Sequence, residues 1–160
     1  MLVAIIDYGS GNLRSAGKAF ERVAGDRANI KVTSDPKLLK DASHIVLPGV
    51  GAFDDCMRGL KAVPGMLEAL EEEVRGRRKP FLGVCVGMQM LFDEGHEHGV
   101  HKGLGWIEGK VVRISCELRV VSNENTLTTH NPQLKIPHMG WNDLTIRTSG
   151  HPLLDRKSVV

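Results

Sequence analysis

A single cysteine lies between two glycines in the segment GVCVGMQ at residues 83–89. The pattern Gly-x-Cys-x-Gly is typical of a nucleophile elbow, a sharp strand-to-helix turn that holds the nucleophile in strained backbone geometry. An apolar run precedes Cys85, and apolar residues at helical spacing predict a helix over residues 86–92. At the start of such a helix the dipole and the free N–H groups would favour the thiolate. A buried structural cysteine is the commonest fate of a free cysteine, and that interpretation stays open here.

Acyl transfer at a cysteine also requires donors for the developing oxyanion. The amide of Val86 directly follows Cys85, and a second glycine-rich turn, PGVG at residues 48–51, ends another apolar run. Both turns would lie at the carboxyl edge of a parallel sheet, where ligand sites gather. The sequence therefore offers Val86 and the amides of Val50 or Gly51 as donors, although PGVG could equally be a plain strand-to-helix turn.

Two further segments invite a ligand-binding hypothesis. DYGSGN at residues 7–12 follows a strand-like run, but Arg14 replaces the third glycine of the dinucleotide fingerprint, so a tight turn capped by Asn12 or Ser10 explains it better. His96, His98 and His101 lie close together in GHEHGVH, yet no neighbouring cysteine or acidic cluster completes four ligands. We expect an exposed polar loop there and no metal site.

Strand-like and helical patterns alternate up to residue 94. Apolar runs at residues 2–7, 30–32, 44–49 and 80–84 are continuous rather than alternating, which is typical of strands buried on both faces. Segments with helical spacing separate them, and Pro64 suits the first turn of one. The pattern predicts an α/β protein with a mostly parallel sheet and helices on both faces. Strands are also expected at residues 110–114 and within 136–146, with a loop or hairpin at 116–133.

Composition limits the classes of protein to which the chain can belong. The chain has 160 residues, 41% of them hydrophobic, a net charge of +2 and three well-separated cysteines. These values predict one globular domain over residues 1–160, without a nucleic-acid surface, a disulfide framework or a zinc site. The basic run at residues 75–79 is most simply a solvated helix end. No apolar run is long enough to span a membrane, and Asp7 argues against a signal peptide, so a cytoplasmic location is expected.

Five segments together resemble one family: IIDYGSGNL, LPGVGAF, PFLGVCVGMQMLF, GLGWIEG and KIPHMGWN. They occur in the order and rough spacing of the glutaminase subunits of imidazole glycerol phosphate synthase, which are class I glutamine amidotransferases. The match covers about residues 1–114 and 134–154. The combination of the elbow with PHMGWN is specific, since other class I glutaminases share only the elbow. The resemblance implies a flavodoxin-like, class I glutamine amidotransferase fold without a cofactor.

The resemblance also implies a reaction. Cys85 would attack the side-chain amide of L-glutamine, ammonia would leave, and water would hydrolyse the thioester to glutamate. The ammonia would pass to a cyclase partner, a β/α-barrel subunit of the HisF type, in histidine biosynthesis. By the same match, Gln89 and Glu97 would hold glutamine, with the carboxylate of Glu97 suited to its α-amino group. The predicted face toward the cyclase comprises Asn12, Pro137, His138, Met139, Gly140, Trp141 and Asn142.

One departure from the family limits these expectations. Family members carry a histidine and a glutamate, the catalytic base and its orienting acid, in a His-Pro-Glu segment that is not found here; His151 is followed by Pro152 but then by Leu153. The sequence is therefore predicted to be incomplete at its C-terminus and to turn over glutamine slowly, because leaving ammonia needs a proton and the thioester needs an activated water. The alternatives are a non-catalytic protein that binds the cyclase and another α/β hydrolase with an elbow cysteine.

Overall fold

The computed structural model describes residues 1–113 and the backbone of two strands beyond them, at 117–122 and 125–130. The chain divides into two compact units, Met1–Arg113 and Ile114–Val160. Within the part of the chain that the structure describes, no helix is long and apolar enough to cross a membrane.

The centre of the first unit is a four-stranded sheet in which every neighbouring pair is parallel. Its strands lie in the order β2-β1-β3-β4, so the first strand is central. The pattern of continuous apolar runs correctly predicted this parallel arrangement. The strands are β1 Leu2–Ile6, β2 Asn29–Thr33, β3 His44–Leu47 and β4 Phe81–Gly83.

Helices connect these strands as the βαβ pattern requires. The longest, α1, begins after Asn12, whose side-chain oxygen accepts a hydrogen bond from Ser15 N at 3.3 Å, so Asn12 and not Ser10 is the capping residue. The helices are α1 Leu13–Ala24, α2 Leu38–Asp41, α3 Phe53–Ala62 and α4 Met66–Leu70; a 3₁₀ turn at Gly25–Arg27 follows α1, and a π-helical turn at Glu71–Gly76 follows α4.

Strand β1 is buried on both faces. Ala4 and Ile6 belong to a core that also contains side chains of α3 and α4, whereas Val3 and Ile5 pack in a second cluster with residues of α1. Alternate residues of a strand point to opposite faces, so the two clusters lie on the two sides of the sheet. The carboxyl ends of β1, β3 and β4 are thereby fixed side by side.

The helix expected at residues 86–92 is shorter than predicted. Helix α5 spans Val86–Gln89, and strand β5, Phe92–Gly95, begins soon after it. The backbone N–H groups of Trp106 and Ile107 both donate to Leu91 O, at 2.8 and 2.9 Å. This pairing with a distant segment replaces the next helical turn, so tertiary contact overrides the apolar spacing that favoured a longer helix.

Strand β5 is the middle strand of a second sheet with the order β6-β5-β7. Strand β6, His101–Lys102, is antiparallel to β5, and β7, Ile107–Val111, is parallel to it. The strand predicted at residues 110–114 therefore begins and ends about three residues earlier. Asp93 contributes to this shift, because its carboxylate accepts a hydrogen bond from Gly109 N at 2.9 Å and fixes the position of β7 beside β5.

The second unit contains an antiparallel hairpin. Its strands, β8 Glu117–Ser122 and β9 Asn125–His130, pair from Glu117 opposite His130 to Ser122 opposite Asn125. Of the two alternatives for residues 116–133, a loop or a hairpin, the structure thus has the hairpin. The strand predicted within residues 136–146 lies outside the described residues.

The basic run at residues 75–79 pairs with the glutamates before it. Arg75 contacts Glu71 at 2.8 Å, and Lys79 Nζ lies 2.8 Å from Glu73, whose side chain is buried. Lys79 also donates to the carbonyls of Leu39 and Lys40 at the end of α2. Arg75 and Lys79 of the run are thus paired with glutamates, and Lys79 ties the π-helical turn to α2.

Candidate active site

Cys85 occupies the sharp turn between β4 and α5. Its backbone has φ 55° and ψ −119°, a combination that costs a non-glycine residue free energy and persists only where the surroundings impose it. Val84 N donates to Leu47 O at 2.9 Å, which continues the sheet to the residue before the cysteine. The thiol is exposed. A strained backbone together with an accessible sulfur is the geometry that a nucleophile elbow requires.

The glycines on either side of Cys85 allow the elbow to pack against β3. A Cβ atom on Gly87 would overlap the carbonyl of Leu47, and one on Gly83 would lie 2.7 Å from the Cα of Met88. Any side chain at either position would push the turn away from the sheet. The Gly-x-Cys-x-Gly pattern is therefore a packing requirement in this chain.

The turn at residues 48–51 follows β3 and lies directly against the elbow. A Cβ on Gly49 would be 2.5 Å from Gly87 N and 2.9 Å from the hydroxyl of Tyr8. Tyr8 Oη donates to Pro48 O at 2.6 Å. The turn is consequently held between the end of β1 and the first turn of α5, at the sheet edge where the sequence placed it.

The polar backbone atoms of Val50 are engaged by Ser10. Val50 N donates to Ser10 Oγ at 3.2 Å, and Ser10 Oγ donates to Val50 O at 2.7 Å. The fully buried thiol of Cys56 lies 3.3 Å from both Val50 O and Ser10 Oγ. The amide of Val50, one of the two alternative oxyanion donors in this turn, is thus occupied by a side chain, while Gly51 follows it with φ 99°.

Sequence reasoning missed Tyr8, Ser10 and Cys56 as supports of this turn. Burial raises the pKa of the Tyr8 phenol well above its ordinary value of 10.0, and the neighbouring Cys56 thiol adds to the effect. The phenol therefore stays protonated and keeps its hydrogen bond to Pro48. Tyr8 and Ser10 lie 40 positions before the turn residues that they contact, and Cys56 lies six positions after Val50. No local pattern connects Tyr8 or Ser10 with the turn.

The two residues expected to hold a substrate are Gln89 in α5 and Glu97 in the loop after β5. Gln89 is the last residue of α5, and its backbone N–H donates to Cys85 O at 3.1 Å. Glu97 lies in the loop after β5, where its Oε2 accepts a hydrogen bond from Phe53 N at 2.9 Å. Phe53 is the first residue of α3, two positions after Gly51, so the carboxylate of Glu97 is brought beside the turn at residues 48–51.

Comparison with known proteins shows the family of the chain. The sequence pattern of the family described as glutamine amidotransferase class-I matches residues 4–155. The chain belongs to this family. The mostly parallel sheet with its helices is thus the α/β fold of a class I glutamine amidotransferase domain.

Curated relatives of this amidotransferase carry the name imidazole glycerol phosphate synthase subunit HisH. The relative from Zymomonas mobilis is 49% identical over 95% of the chain and 65% of its own length. Those from Rhodospirillum rubrum and Agrobacterium fabrum are each 54% identical, over 96% and 97% of the chain and 67% of their own lengths. The chain thus spans about two thirds of the length of the relatives it matches.

Three histidines within residues 1–113 contact polar side chains. His96 Nε2 lies 2.9 Å from Glu94 Oε2, and hydrogen bonding from His96, then from Lys110, lowers the pKa of the Glu94 carboxyl. His101 Nδ1 lies 3.2 Å from Asp54 Oδ1. His44, at the opposite end of β3, contacts Ser43 Oγ at 3.0 Å. Within the described residues no three His, Cys, Asp or Glu side chains are grouped as a metal site.

The remaining residues that the sequence singled out fall in two groups. Asn12 caps α1 beside the glycine-rich turn at residues 9–11, and it is exposed. Pro137, His138, Met139, Gly140, Trp141 and Asn142 lie outside the described residues, so their role at a partner interface stays a prediction. The same holds for the single domain predicted over residues 1–160.

Proposed function

We propose that this chain is the glutaminase of a glutamine-dependent amidotransferase, and that Cys85 is its nucleophile. The observation that carries the proposal is the backbone of Cys85, which is strained at φ 55° and ψ −119° while its thiol is open to solvent. A structural cysteine has no need of such a conformation, since strain of this kind persists where function requires it. Membership of the class I family supports the same assignment.

In the proposed reaction the thiolate of Cys85 attacks the carbon of the glutamine side-chain amide. The carbonyl oxygen becomes an oxyanion. When this intermediate collapses, the C–N bond breaks, the nitrogen takes up the proton that the thiol gave to water, and ammonia departs from the thioester. Water then hydrolyses the thioester to glutamate and restores the thiol. Val86 N–H is one donor for the oxyanion, because it directly follows the nucleophile and begins α5.

The second donor comes from the turn at residues 48–51. Val50 N–H is engaged by Ser10 in the free chain, so its use requires that this hydrogen bond be released. Gly51 N–H is the other alternative, and the positive φ of Gly51 is a conformation that glycine adopts freely. Either choice places the two donors on neighbouring turns of the same sheet edge.

The substrate is proposed to be L-glutamine, held by Gln89 and Glu97. Glu97 is negatively charged, exposed and fixed beside the turn by its bond to Phe53 N, which uses one carboxylate oxygen. Within residues 1–113 the other oxygen has no hydrogen-bond partner, which leaves it for a cation such as the α-amino group of an amino acid. Gln89 follows Cys85 on α5 and supplies a neutral amide at the same end of the sheet.

The ammonia is proposed to reach a cyclase subunit of imidazole glycerol phosphate synthase, as a heterodimer in the cytoplasm, for histidine biosynthesis. The support is the name shared by relatives about 50% identical to the chain. Asn12 and residues 137–142 are the proposed contact with that β/α-barrel partner. The lyase step of the complete synthase would then belong to the cyclase.

Glutamate release from L-glutamine, measured with and without the purified cyclase, tests the enzyme. We expect release that depends on Cys85 and increases with the cyclase; release equal to that of Cys85→Ala would contradict the proposal. A glutamine-mimicking electrophile gives a second readout, because labelling of Cys85 requires substrate binding and nucleophilicity but no complete turnover. Protection from labelling by L-glutamine, and not by L-asparagine, would establish the substrate.

The same experiments separate the enzyme from a protein that only binds the cyclase. In that case the chain would co-elute with the cyclase in size-exclusion chromatography, while Cys85 would label no faster than an ordinary thiol. A third outcome, fast labelling without glutamine protection, would favour a different cysteine hydrolase.

A further inference from the structure

The histidine-rich loop of residues 96–100 joins β5 to β6 and carries Glu97. Its two ends are closed by the antiparallel pairing of Gly95 with His101. Inside the loop His98 has φ 54° and Gly99 has φ 136°, so the chain turns sharply just after Glu97. A loop of this kind presents one carboxylate at a defined place only if both of its ends are fixed to a rigid element.

The two ends are fixed to neighbouring residues at the start of α3, the β5 end to Phe53 and the β6 end to Asp54. A Cβ on Gly95 would overlap the buried ring of Phe53, so the last residue of β5 packs directly on that ring. From the other end His101 Nδ1 lies 3.2 Å from Asp54 Oδ1. Between these contacts Glu97 reaches Phe53 N at 2.9 Å.

The two nitrogens of His101 differ in what they contact. Nδ1 faces Asp54, whereas Nε2 is buried and has no hydrogen-bond partner within the residues that the structure describes. A Cβ on Gly99 would lie 3.2 Å from Nε2, which shows how closely the loop backbone covers this edge of the ring. Only Nδ1 is thus available as a fixed contact, and it must carry the proton if it is to donate to the carboxylate.

We propose that His101 and Asp54 are positioning residues that hold Glu97 in place for the α-amino group of glutamine. This assignment rests on the proposed glutaminase function and adds to it the pair that sets substrate affinity. Without the pair, the β6 end of the loop loses its side-chain contact to α3, and the bond from Glu97 to Phe53 N alone must hold the carboxylate. Arg58 Nε lies 3.3 Å from Asp54 Oδ2, so it holds the aspartate on α3 while the other oxygen faces His101.

The test compares three variants of the full chain with a matched control. His101→Leu and Asp54→Ala each break the contact between His101 and Asp54 by removing one of its two partners. His101→Asn keeps a donor where Nδ1 lies and removes Nε2. His44→Leu is the control, since His44 lies at the opposite end of β3, away from the carboxyl edge. Steady-state kinetics with L-glutamine and amide hydrogen exchange of residues 96–101 are measured for all of them.

We expect His101→Leu and Asp54→Ala to raise KM for glutamine about tenfold with kcat nearly unchanged, since a misplaced ionic partner weakens binding of substrate and transition state alike. Exchange in residues 96–101 should become faster in the same two variants. His101→Asn should restore both values. Either of two results would overturn the proposal. A fall in kcat at unchanged KM would mean that the pair does not set substrate affinity. His101→Asn behaving like His101→Leu would mean that His101 acts through Nε2.

Failure of the glutaminase hypothesis is recognised separately. If the unaltered chain neither releases glutamate nor binds glutamine in calorimetry, the proposed function fails. Hydrogen exchange alone then tests whether His101 and Asp54 hold the loop. Faster exchange in His101→Leu but not in His101→Asn or His44→Leu would then support the fastening of the loop by His101. Equal exchange in all variants would reject it.

Discussion

The hydroxyl of Ser10 contacts both polar backbone atoms of Val50, at 3.2 Å from its nitrogen and 2.7 Å from its oxygen. One side chain thereby fixes the peptide groups on both sides of Val50. The turn that lies against the proposed nucleophile is consequently fixed by a residue 40 positions earlier in the chain.

Removing this hydroxyl should change activity as well as stability. Ser10→Ala frees Val50 N–H, and loss of a hydrogen bond of about 1 kcal/mol would shift the turn about fivefold toward conformations with a free amide. We expect glutamate release per Cys85 to rise by a similar factor and the free energy of unfolding to fall by about 1 kcal/mol. Enzyme kinetics and urea denaturation measure the two effects.

Ser43→Ala is the matched control for Ser10→Ala. Ser43 Oγ also donates to a backbone carbonyl, Leu2 O at 2.9 Å, but it lies at the opposite end of the sheet. It should lower stability without increasing glutamate release. Equal activity in Ser10→Ala and the unaltered chain would mean that Val50 N–H takes no part in catalysis.

Tyr8 gives the protein a pH dependence in the alkaline range. Burial raises the pKa of its phenol above 10.0, so the folded state keeps a proton that the unfolded state loses. Stability from this group is therefore complete below pH 10 and declines as pH rises from there toward the folded-state pKa. Tyr8→Phe should be less stable by about 1 kcal/mol at pH 8, because Pro48 O loses its donor, and should lose less stability between pH 10 and 11.

The titration of Tyr8 can be followed directly, since the sequence contains one tyrosine. Absorbance at the tyrosinate band should show no ionisation near pH 10 in the folded chain and ordinary ionisation in denaturant. Ionisation near pH 10 without unfolding would show that the phenol is accessible and that the bond to Pro48 O does not hold.

The strain at Cys85 should be measurable as stability. Cys85→Gly removes the cost of a side chain at φ 55°, whereas Cys85→Ala keeps it, so the glycine variant should be more stable by about 1 kcal/mol. At Lys37, an exposed residue with φ −64° and ψ −30°, the order should reverse. Denaturant midpoints of the four variants provide the measurement, and the same order at both sites would refute strain at the elbow.

Local patterns predicted the part of this site that depends on neighbouring residues. The continuous apolar runs around Ile5 and Val46 predicted the parallel sheet. The glycines beside Cys85 predicted the sharp turn, because the small residues that a closely packed turn requires lie within a few positions of it. The resemblance to the class I family then indicated the chemistry that we propose.

Contacts between residues far apart in the sequence produce no local pattern that predicts them. Ser10 and Val50 are 40 positions apart, and Asp54 and His101 are 47 apart, so nothing in the sequence around either one indicates the partner. The early end of α5 has the same origin, since the N–H groups of Trp106 and Ile107 occupy Leu91 O. Such pairs become visible only once the sheet has brought their elements together.

The close approach of the elbow to β3 can be tested at Gly87. A methyl group there would overlap the carbonyl of Leu47, a backbone atom that cannot move without breaking β3 from its neighbours. Gly87→Ala should therefore lower stability by about 3 kcal/mol and remove glutamine-protected labelling of Cys85. Gly17→Ala is the control: the glycine lies inside α1 and its Cβ would be 3.9 Å from Val32, so alanine should raise stability by about 0.5–1 kcal/mol. If Gly87→Ala were as stable as the unaltered chain, the elbow would not be packed against Leu47, and the strain at Cys85 would need another source.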